Sequence, residues 1–220
     1  MSTEVEYKFV VEDLRQINQL SLSSSWLTWQ SDRPGKKFHI HGEYFDTEER
    51  LLDRELAVLR LRREGERRVM TLKYPESKTK LATDSAKGFF NRVEISAELP
   101  KDFEIPPVEL FAKQHPDFWS QLPAAIAAAL RQPLRRYYVI DFARQQRYLI
   151  NGDSEIELCL DQGFFRSQSG IEQPFLEAEF ELISGTVTDL KELVDHVREK
   201  FGLTPQPMSK YESCVALDQA

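Results

Sequence analysis

The sequence predicts an α+β fold, an antiparallel sheet with one charged face and amphipathic helices packed on its apolar face; if the sheet curls into a barrel, the charged face lines its interior. Three observations predict it. Charged and apolar residues alternate with period two in six segments, and apolar residues recur at helical spacing in two more. The charged positions of the strands are filled almost wholly by Glu, Asp, Arg and Lys, with carboxylates and cations concentrated on different strands, where an ordinary solvent face mixes in Thr, Ser and Gln. With 220 residues, 41% of them hydrophobic, the chain can bury a core as one domain, residues 1–220.

Taken in order, Glu4, Glu6 and Lys8 alternate with Val5, Tyr7 and Phe9, which makes a first strand. Leu14, Ile17 and Leu20 then follow a helical period. Segment Trp26 to His41 is rich in Ser, Thr, Lys, Gly and Pro and reads as a surface loop. Arg60 and Arg62 alternate with Leu59 and Leu61, and Thr71 and Lys73 with Met70 and Leu72, giving two further strands. Pro75 to Lys87 reads as a second loop, with Lys78, Lys80 and Lys87 facing solvent. Arg92, Glu94 and Ser96 alternate with Val93, Ile95 and Ala97.

Between Pro100 and Pro133 the chain is punctuated by Pro106, Pro107, Pro116 and Pro123, and Ala124 to Leu130 is strongly helix-forming, so this region reads as a helical connector. Glu157, Cys159 and Asp161 alternate with Ile156, Leu158 and Leu160, and Glu177, Glu179 and Glu181 with Leu176, Ala178, Phe180 and Leu182. Leu190, Leu193, Val194, Val197 and Phe201 mark the last amphipathic helix, capped by Thr188 or Asp189 and stopped at Gly202, with Pro205 and Pro207 beyond. Glu4-Val5-Glu6-Tyr7 and Glu177-Ala178-Glu179-Phe180 each lead into a helix, a faint internal repeat that sets two carboxylate pairs at comparable positions.

Several classes are excluded. With 29 basic and 36 acidic residues, the net charge of −7 repels nucleic acid and anionic lipid over most of the surface. No run of about 18 apolar residues occurs, and Met1 to Lys8 lacks a signal-peptide pattern, so the expected location is the cytoplasm, away from any membrane. Cys159 and Cys214 are too few for a disulfide framework, and His39, His41, His115 and His196 form no metal-ligand pattern; His39 and His41 read as strand-edge polar residues. Trp26, Trp29 and Trp119 read as packing residues.

The polar faces carry the chemistry. Adjacent glutamates on three strands repel one another and call for an oxygen-seeking cation such as Mg²⁺ or Mn²⁺, whereas clustered Arg and Lys call for an anion, with arginine forks matching phosphate oxygens in pairs. A barrel lined by both would hold a polyanion together with its metals.

At this point the chain resembles a known family. Glu4-Val5-Glu6-Tyr7-Lys8 is similar to the ExExK signature of the CYTH superfamily, the triphosphate tunnel metalloenzymes. The remaining motifs follow in the family's order: Tyr44-Phe45-Asp46-Thr47, Leu59-Arg60-Leu61-Arg62, Thr71-Leu72-Lys73, Arg92 with Glu94, Leu160-Asp161-Gln162-Gly163, Glu177 with Glu179, and Ser209-Lys210. The resemblance spans nearly the whole chain and is strongest to bacterial inorganic triphosphatases, here without the helical CHAD domain that often follows.

The resemblance implies an eight-stranded antiparallel closed β-barrel, the triphosphate tunnel, with flanking helices. It implies metal ligands at Glu4, Glu6, Glu94, Asp161, Glu177 and Glu179, and phosphate ligands at Lys8, Arg60, Arg62, Lys73, Arg92 and Arg144, with Lys210 closing one end. Of the arginines between Leu134 and Arg147, Arg144 is chosen because the run from Asp141 to Gly163 matches the triphosphatases without a gap. Ser96 stands where many relatives carry another Glu, and Cys159 is expected to face the tunnel as a small buried residue.

The implied reaction is metal-dependent hydrolysis of inorganic triphosphate to pyrophosphate and phosphate. One ion would sit on Glu4 and Glu6, helped by Glu177 and Glu179, and a second near Asp161 or Glu94 would activate water. Tyr44 and Lys73 match a dyad proposed as the base in some relatives. The expected partner is a small triphosphate, and a homodimer is the assembly to test. The rival readings are a class IV adenylyl cyclase, a thiamine triphosphatase, a non-catalytic binder of polyphosphate or nucleotides, and a structural protein with charged strand faces.

Overall fold

The computed structural model describes residues 2–219, without the side chains of Ser23, Ala82 and Thr83. The chain runs through β1 (Ser2–Val10), α1 (Leu14–Ser21), a 3-10 turn (Ser23–Trp29), β2 (Lys37–Thr47), α2 (Leu51–Arg54), β3 (Val58–Glu64) and β4 (Arg67–Tyr74). It continues through α3 (Lys78–Ser85), β5 (Phe89–Glu98), α4 (Val108–Gln114), α5 (Phe118–Gln121) and α6 (Ala124–Ala129). The last part comprises β6 (Leu134–Asn151), β7 (Ser154–Arg166), β8 (Glu172–Ser184), α7 (Val187–Phe201), β9 (Thr204–Pro205) and α8 (Lys210–Gln219).

The strands neighbour one another in the order β5-β4-β3-β2-β6-β7-β8-β1, and β1 returns to β5, so eight antiparallel strands close into a barrel. β9 adds to β1 beyond the end of β5, at Phe9 and Val10. The period-two pattern sorts the side chains into two environments. Apolar positions of β3, β4 and β5 point outward and are covered by α2, α4, α5 and α6, in a core that includes Leu59, Leu61, Met70, Leu72, Ile95, Phe111 and Ile126. On the opposite side Val5, Phe9, Leu158, Leu160, Ala178 and Phe180 pack under α7, through Leu190, Leu193, Val194 and Val197. The same core takes in Leu20 of α1 and Trp26.

A third cluster lies inside the barrel. Ile40, Tyr44, Tyr138, Ile140, Phe142 and Phe165 from the walls meet Tyr211 and Cys214 of α8. The C-terminal helix therefore fills one end, and what remains is a well with one mouth. Exposure falls with depth: at the deep end Asp161 is 0%, Glu177 1% and Lys210 5% exposed. Towards the mouth the side chains of Arg62 and Glu94 reach 17% and 22%.

Several sequence expectations are corrected here. The loop assigned to Trp26–His41 contains the 3-10 turn, and β2 begins within it at Lys37. The loop at Pro75–Lys87 contains α3, capped by the Ser77 side chain accepting from the Lys80 N–H. Lys78 is not simply solvated: it donates to the Arg54 carbonyl at 2.9 Å and pairs with Glu55 at 2.9 Å. Helix α7 starts earlier than expected, because Thr186, not Thr188 or Asp189, is the cap and accepts from the Asp189 N–H. Gly202 ends it in a left-handed conformation, φ 65°, as expected. His39 and His41 stand within the closed sheet rather than at an edge, and His41 Nδ1 lies 3.0 Å from Asp141. Leu14, read as packing, is 54% exposed.

Two long strands, β2 and β6, escaped the alternation test. In β6 the inward face changes from apolar at the sealed end (Tyr138, Ile140, Phe142) to polar towards the mouth (Arg144, Gln146), so no single pattern runs through it. Trp26 is buried and donates to the Leu20 carbonyl at 2.6 Å, and Trp119 packs under Arg131, both as expected of packing residues. Among the described residues, no helix is long and apolar enough to cross a membrane.

Candidate active site

Three rows of inward side chains cross β1, β8 and β7. The deepest joins Glu177 to Asp161, the middle row is Lys8, Glu179 and Cys159, and the row nearest the mouth is Glu6, Glu181 and Glu157. The next position on the same face of β7 is Gly163, where a Cβ would sit 2.1 Å from the Asp141 carbonyl oxygen of the neighbouring strand, so β6 and β7 approach closely only because this residue has none.

The deep carboxylates form a cluster. Oxygens of Asp161, Glu177 and Glu179 all lie within 4.8 Å of one another. The Lys210 ammonium stands among them, 2.9 Å from Asp161 and 2.7 Å from Glu179, and touches Glu177 as well. Lys8 contacts Glu179 and lies 3.7 Å from Glu177 and 3.5 Å from Glu6. Arg144 forks onto Asp161 at 2.8 and 2.6 Å and reaches Glu179 at 2.5 Å. One oxygen of Glu177, Oε2, is buried with no hydrogen-bond partner.

A second group lies nearer the mouth. Lys73 contacts Glu4 and sits 2.8 Å from Glu94, and Arg92 bridges Glu4 at 3.2 Å and Glu6 at 2.9 Å. The Ser96 hydroxyl donates to Glu94 at 2.6 Å and lies 3.0 Å from the Thr71 hydroxyl. This grouping differs from the one read in the sequence: Asp161 clusters with Glu177 and Glu179, while Glu4 and Glu6 are gathered with Glu94.

Both groups border or underlie a cavity of about 210 Å³. Arg60, Arg62, Tyr44 and Phe142 form its other side. Arg62 is paired with Glu64. Among the described residues Arg60 has no carboxylate partner, and its buried Nε makes no hydrogen bond. Tyr44 and Lys73 share this cavity but stand on β2 and β4, with β3 between them; Tyr44 packs edge-on to Tyr211 at 5.5 Å. Of the other arginines on β6, Arg135 and Arg136 pair with Glu48 and Glu43, and Arg147 donates to the Ser21 carbonyl.

The electrostatics follow this layout. Burial raises the Glu179 carboxyl, but Lys210, Lys8 and Arg144 outweigh it and hold the group well below the usual range. At Glu177 burial prevails over Lys210 and Lys8 and pushes the carboxyl up to about 7. Burial also opposes ionisation of Glu4 and Glu94, yet Lys73 with Arg92 at the first, and Lys73 with Arg60 at the second, leave both lowered. Arg62 is lowered to about 10, by burial and by Arg60 beside it. Burial raises Tyr44, so its hydroxyl stays protonated.

Two cavity carboxylates, Glu157 and Glu181, had no role in the sequence reading, although the alternation had already put them on the polar face. Glu157 accepts from Gln146 at 2.7 Å and from the Cys159 thiol at 3.0 Å. Glu181, with no ion pair among the described residues, is pushed up to about 8 by burial and by the charges of Glu4, Glu6 and Glu157. Cys159 is 3% exposed and its thiol is raised by burial, consistent with a space-filling residue.

Comparison with known proteins adds the following. A family model for the CYTH domain matches residues 2–212. The chain is similar in structure to a candidate adenylyl cyclase from Hippeastrum, HpAC1, whose dominant activity is that of a triphosphatase, with TM-score 0.63, 17% identity, and 97% of this chain and 95% of that one covered. It is similar to the PH1819 protein of Pyrococcus horikoshii, with TM-score 0.55, 16% identity and 99% of both chains covered. A candidate adenylate cyclase from Bacillus halodurans gives 0.52 at 17% identity, over 95% of this chain and 96% of that one. At these identities the likeness is one of fold.

Proposed function

Since the chain belongs to the CYTH domain family, we propose that it is, as a single domain, a metal-dependent triphosphatase that cleaves inorganic triphosphate to pyrophosphate and phosphate in its charged well. The observation that supports this most directly is a pair of opposite deficits in one site. Among the described residues Arg60 is a half-buried cation with no ion pair and a buried Nε that makes no hydrogen bond, and Glu177 presents a buried oxygen with no donor. A metal–triphosphate complex supplies the anion to the first and the cation to the second.

The donor set fits a hard divalent ion such as Mg²⁺ or Mn²⁺, because Asp161, Glu177 and Glu179 converge with oxygens only. Glu4, Glu6 and Glu94 are the further proposed ligands. An ion held there would neutralise phosphate charge and lower the pKa of bound water.

The chain's own residues do the rest. Arg60, Arg62, Arg92 and Arg144 offer planar forks to phosphate oxygens, and Lys8, Lys73 and Lys210 act as point charges. These groups are fixed before substrate arrives, so the charge that develops on leaving oxygens meets donors that need no reorganisation. Tyr44, kept protonated, is suited to donate to a phosphate oxygen. The aromatic seal behind Lys210 excludes water from the deep side, which strengthens every charge contact in the well.

The test is phosphate release from inorganic triphosphate, ATP and thiamine triphosphate side by side, with Mg²⁺ or Mn²⁺ and with chelator, while the ATP reaction is monitored for cyclic AMP. Fast metal-dependent release from inorganic triphosphate alone is expected. Cyclic AMP would make the chain a cyclase, and silence on all three substrates would leave a binder.

A further inference from the structure

The deep carboxylates of the well are already held by a cation of the chain itself. Asp161 and Glu177 are opposed across β7 and β8, Glu179 follows on β8, and oxygens of all three lie within 4.8 Å of one another. One ammonium touches every member of the group: Lys210 Nζ lies 2.9 Å from Asp161 and 2.7 Å from Glu179, and it contacts Glu177. Of the three, Lys8 hydrogen-bonds Glu179 alone, and Arg144 hydrogen-bonds Asp161 and Glu179. Only Glu177 Oε2 among these oxygens lacks a donor.

Lys210 also differs from Lys8 and Arg144 in where it comes from. They stand on strands β1 and β6, whereas Lys210 is the first residue of α8. Its backbone is pinned by a reciprocal cap, in which the Ser209 N–H donates to Glu212 at 2.6 Å and the Glu212 N–H donates to the Ser209 hydroxyl at 3.2 Å. Beyond that pin runs a flexible stem whose side chain borders the cavity.

We propose that Lys210 is a tethered competitor for a divalent ion at this cluster: its ammonium holds the three carboxylates while the ion is absent, and turns into the cavity when the ion binds. The fate of the released ammonium, which is to meet a phosphate, rests on the triphosphatase reading. The same oxygens cannot serve both cations. A hard divalent ion needs carboxylate oxygens at about 2.0–2.6 Å, and an ammonium bound to those oxygens stands in its place. The two charges also repel each other where little water screens them. The exchange belongs to metal loading, so Lys210 already faces the cavity when a triphosphate arrives, and metal and triphosphate then support each other's binding.

The test is calorimetric titration of Mg²⁺ into the full chain with no phosphate present. The parent is compared with Lys210→Met and with Lys191→Met, a surface-charge control on α7, each first shown by circular dichroism to be folded. Lys210→Met should bind Mg²⁺ at least about tenfold more tightly than the parent, and Lys191→Met should match the parent. At saturating Mg²⁺ the Lys210→Met chain should bind a non-hydrolysable imido analogue of triphosphate about tenfold more weakly. A loosened barrel would weaken both affinities, so the opposite signs separate competition from a structural role. Lys210→Gln, which keeps a donor for the carboxylates, carries the same comparison if Lys210→Met does not fold. Unchanged or weaker Mg²⁺ binding by the folded variant overturns the proposal, and so does absence of Mg²⁺ binding from both chains. Tighter Mg²⁺ binding by the variant, in a protein whose parent neither binds the analogue nor turns over triphosphate, supports the competition and removes the triphosphatase reading. Turnover of triphosphate with a Mg²⁺ affinity unmoved by the substitution does the reverse.

Discussion

Arg60 and Glu181 line the cavity with no ion pair among the described residues, and each makes a separable prediction. Replacing Arg60 by Met keeps the volume and removes a half-buried guanidinium that makes no ion pair among the described residues, so thermal unfolding should show a melting temperature close to that of the parent. The same change should raise the KM for triphosphate by about 10²-fold, the worth of a bidentate charged contact. For Glu181 the sign runs opposite to the usual carboxylate. Its group titrates near 4.5 when unconstrained and near 8 in the folded chain. Between those values the folded protein holds a proton that the unfolded chain has released, so stability falls as pH rises through this window and stays lower above it. In chelator-treated protein at pH about 9, Glu181→Gln should be more stable than the parent by on the order of 1–3 kcal/mol, a figure discounted for shared repulsion with Glu4 and Glu6, and near equal to it at pH about 4. A variant less stable at the higher pH would show that Glu181 has a cationic partner in solution. At this scale much was legible in the sequence. Alternation assigns Glu4, Glu6, Lys8, Arg60, Arg62, Lys73, Arg92 and Glu94 to one face, because inward and outward positions differ by one residue. Which carboxylate meets which cation was not, because Asp161–Arg144 and Glu4–Lys73 are set by strand tilt and register across several strands.

Among the elements, helix α7 shows how far local signals reach. Its apolar stripe and its glycine stop were readable, but three candidate caps stand within four residues, Thr186, Thr188 and Asp189, and only geometry chooses. Thr186→Ala should cost about 1 kcal/mol in chemical denaturation, while Thr188→Ala should stay within about 0.5 kcal/mol. The reverse order would move the helix start. Strands β2 and β6 were illegible for a different reason. β6 passes from an aromatic plug to a charged well, so its inward face changes polarity partway, and β2 turns Phe38, Ile40 and Tyr44 inward where the other strands turn charges, so a period-two test that assumes one charged inner face sees neither. Helix α8 was hidden too, since one of its ends is a lysine buried among carboxylates and its next turn is a tyrosine in an aromatic cage.

For the molecule as a whole, ligand binding and folding stability are one quantity, because the carboxylate cluster exists only when β7 and β8 are paired. Mg²⁺ supplied at about 100 times its dissociation constant should add about 2.7 kcal/mol to the unfolding free energy, read as a shift of the denaturant midpoint. In Glu177→Gln most of that gain should disappear. The barrel closes through β1, which lies between β5 and β8, and the contact between Lys8 and Glu179 joins residues 171 positions apart. On the ribosome, β1 must therefore wait, unpaired on at least one flank, until β8 has emerged. The domain is then a slow folder of high contact order that cannot close before β8 is available, with its early strands in need of protection from one another and from other nascent chains. A chain that stops short of β8 lacks Glu177 and Glu179, and with them the deep carboxylate cluster.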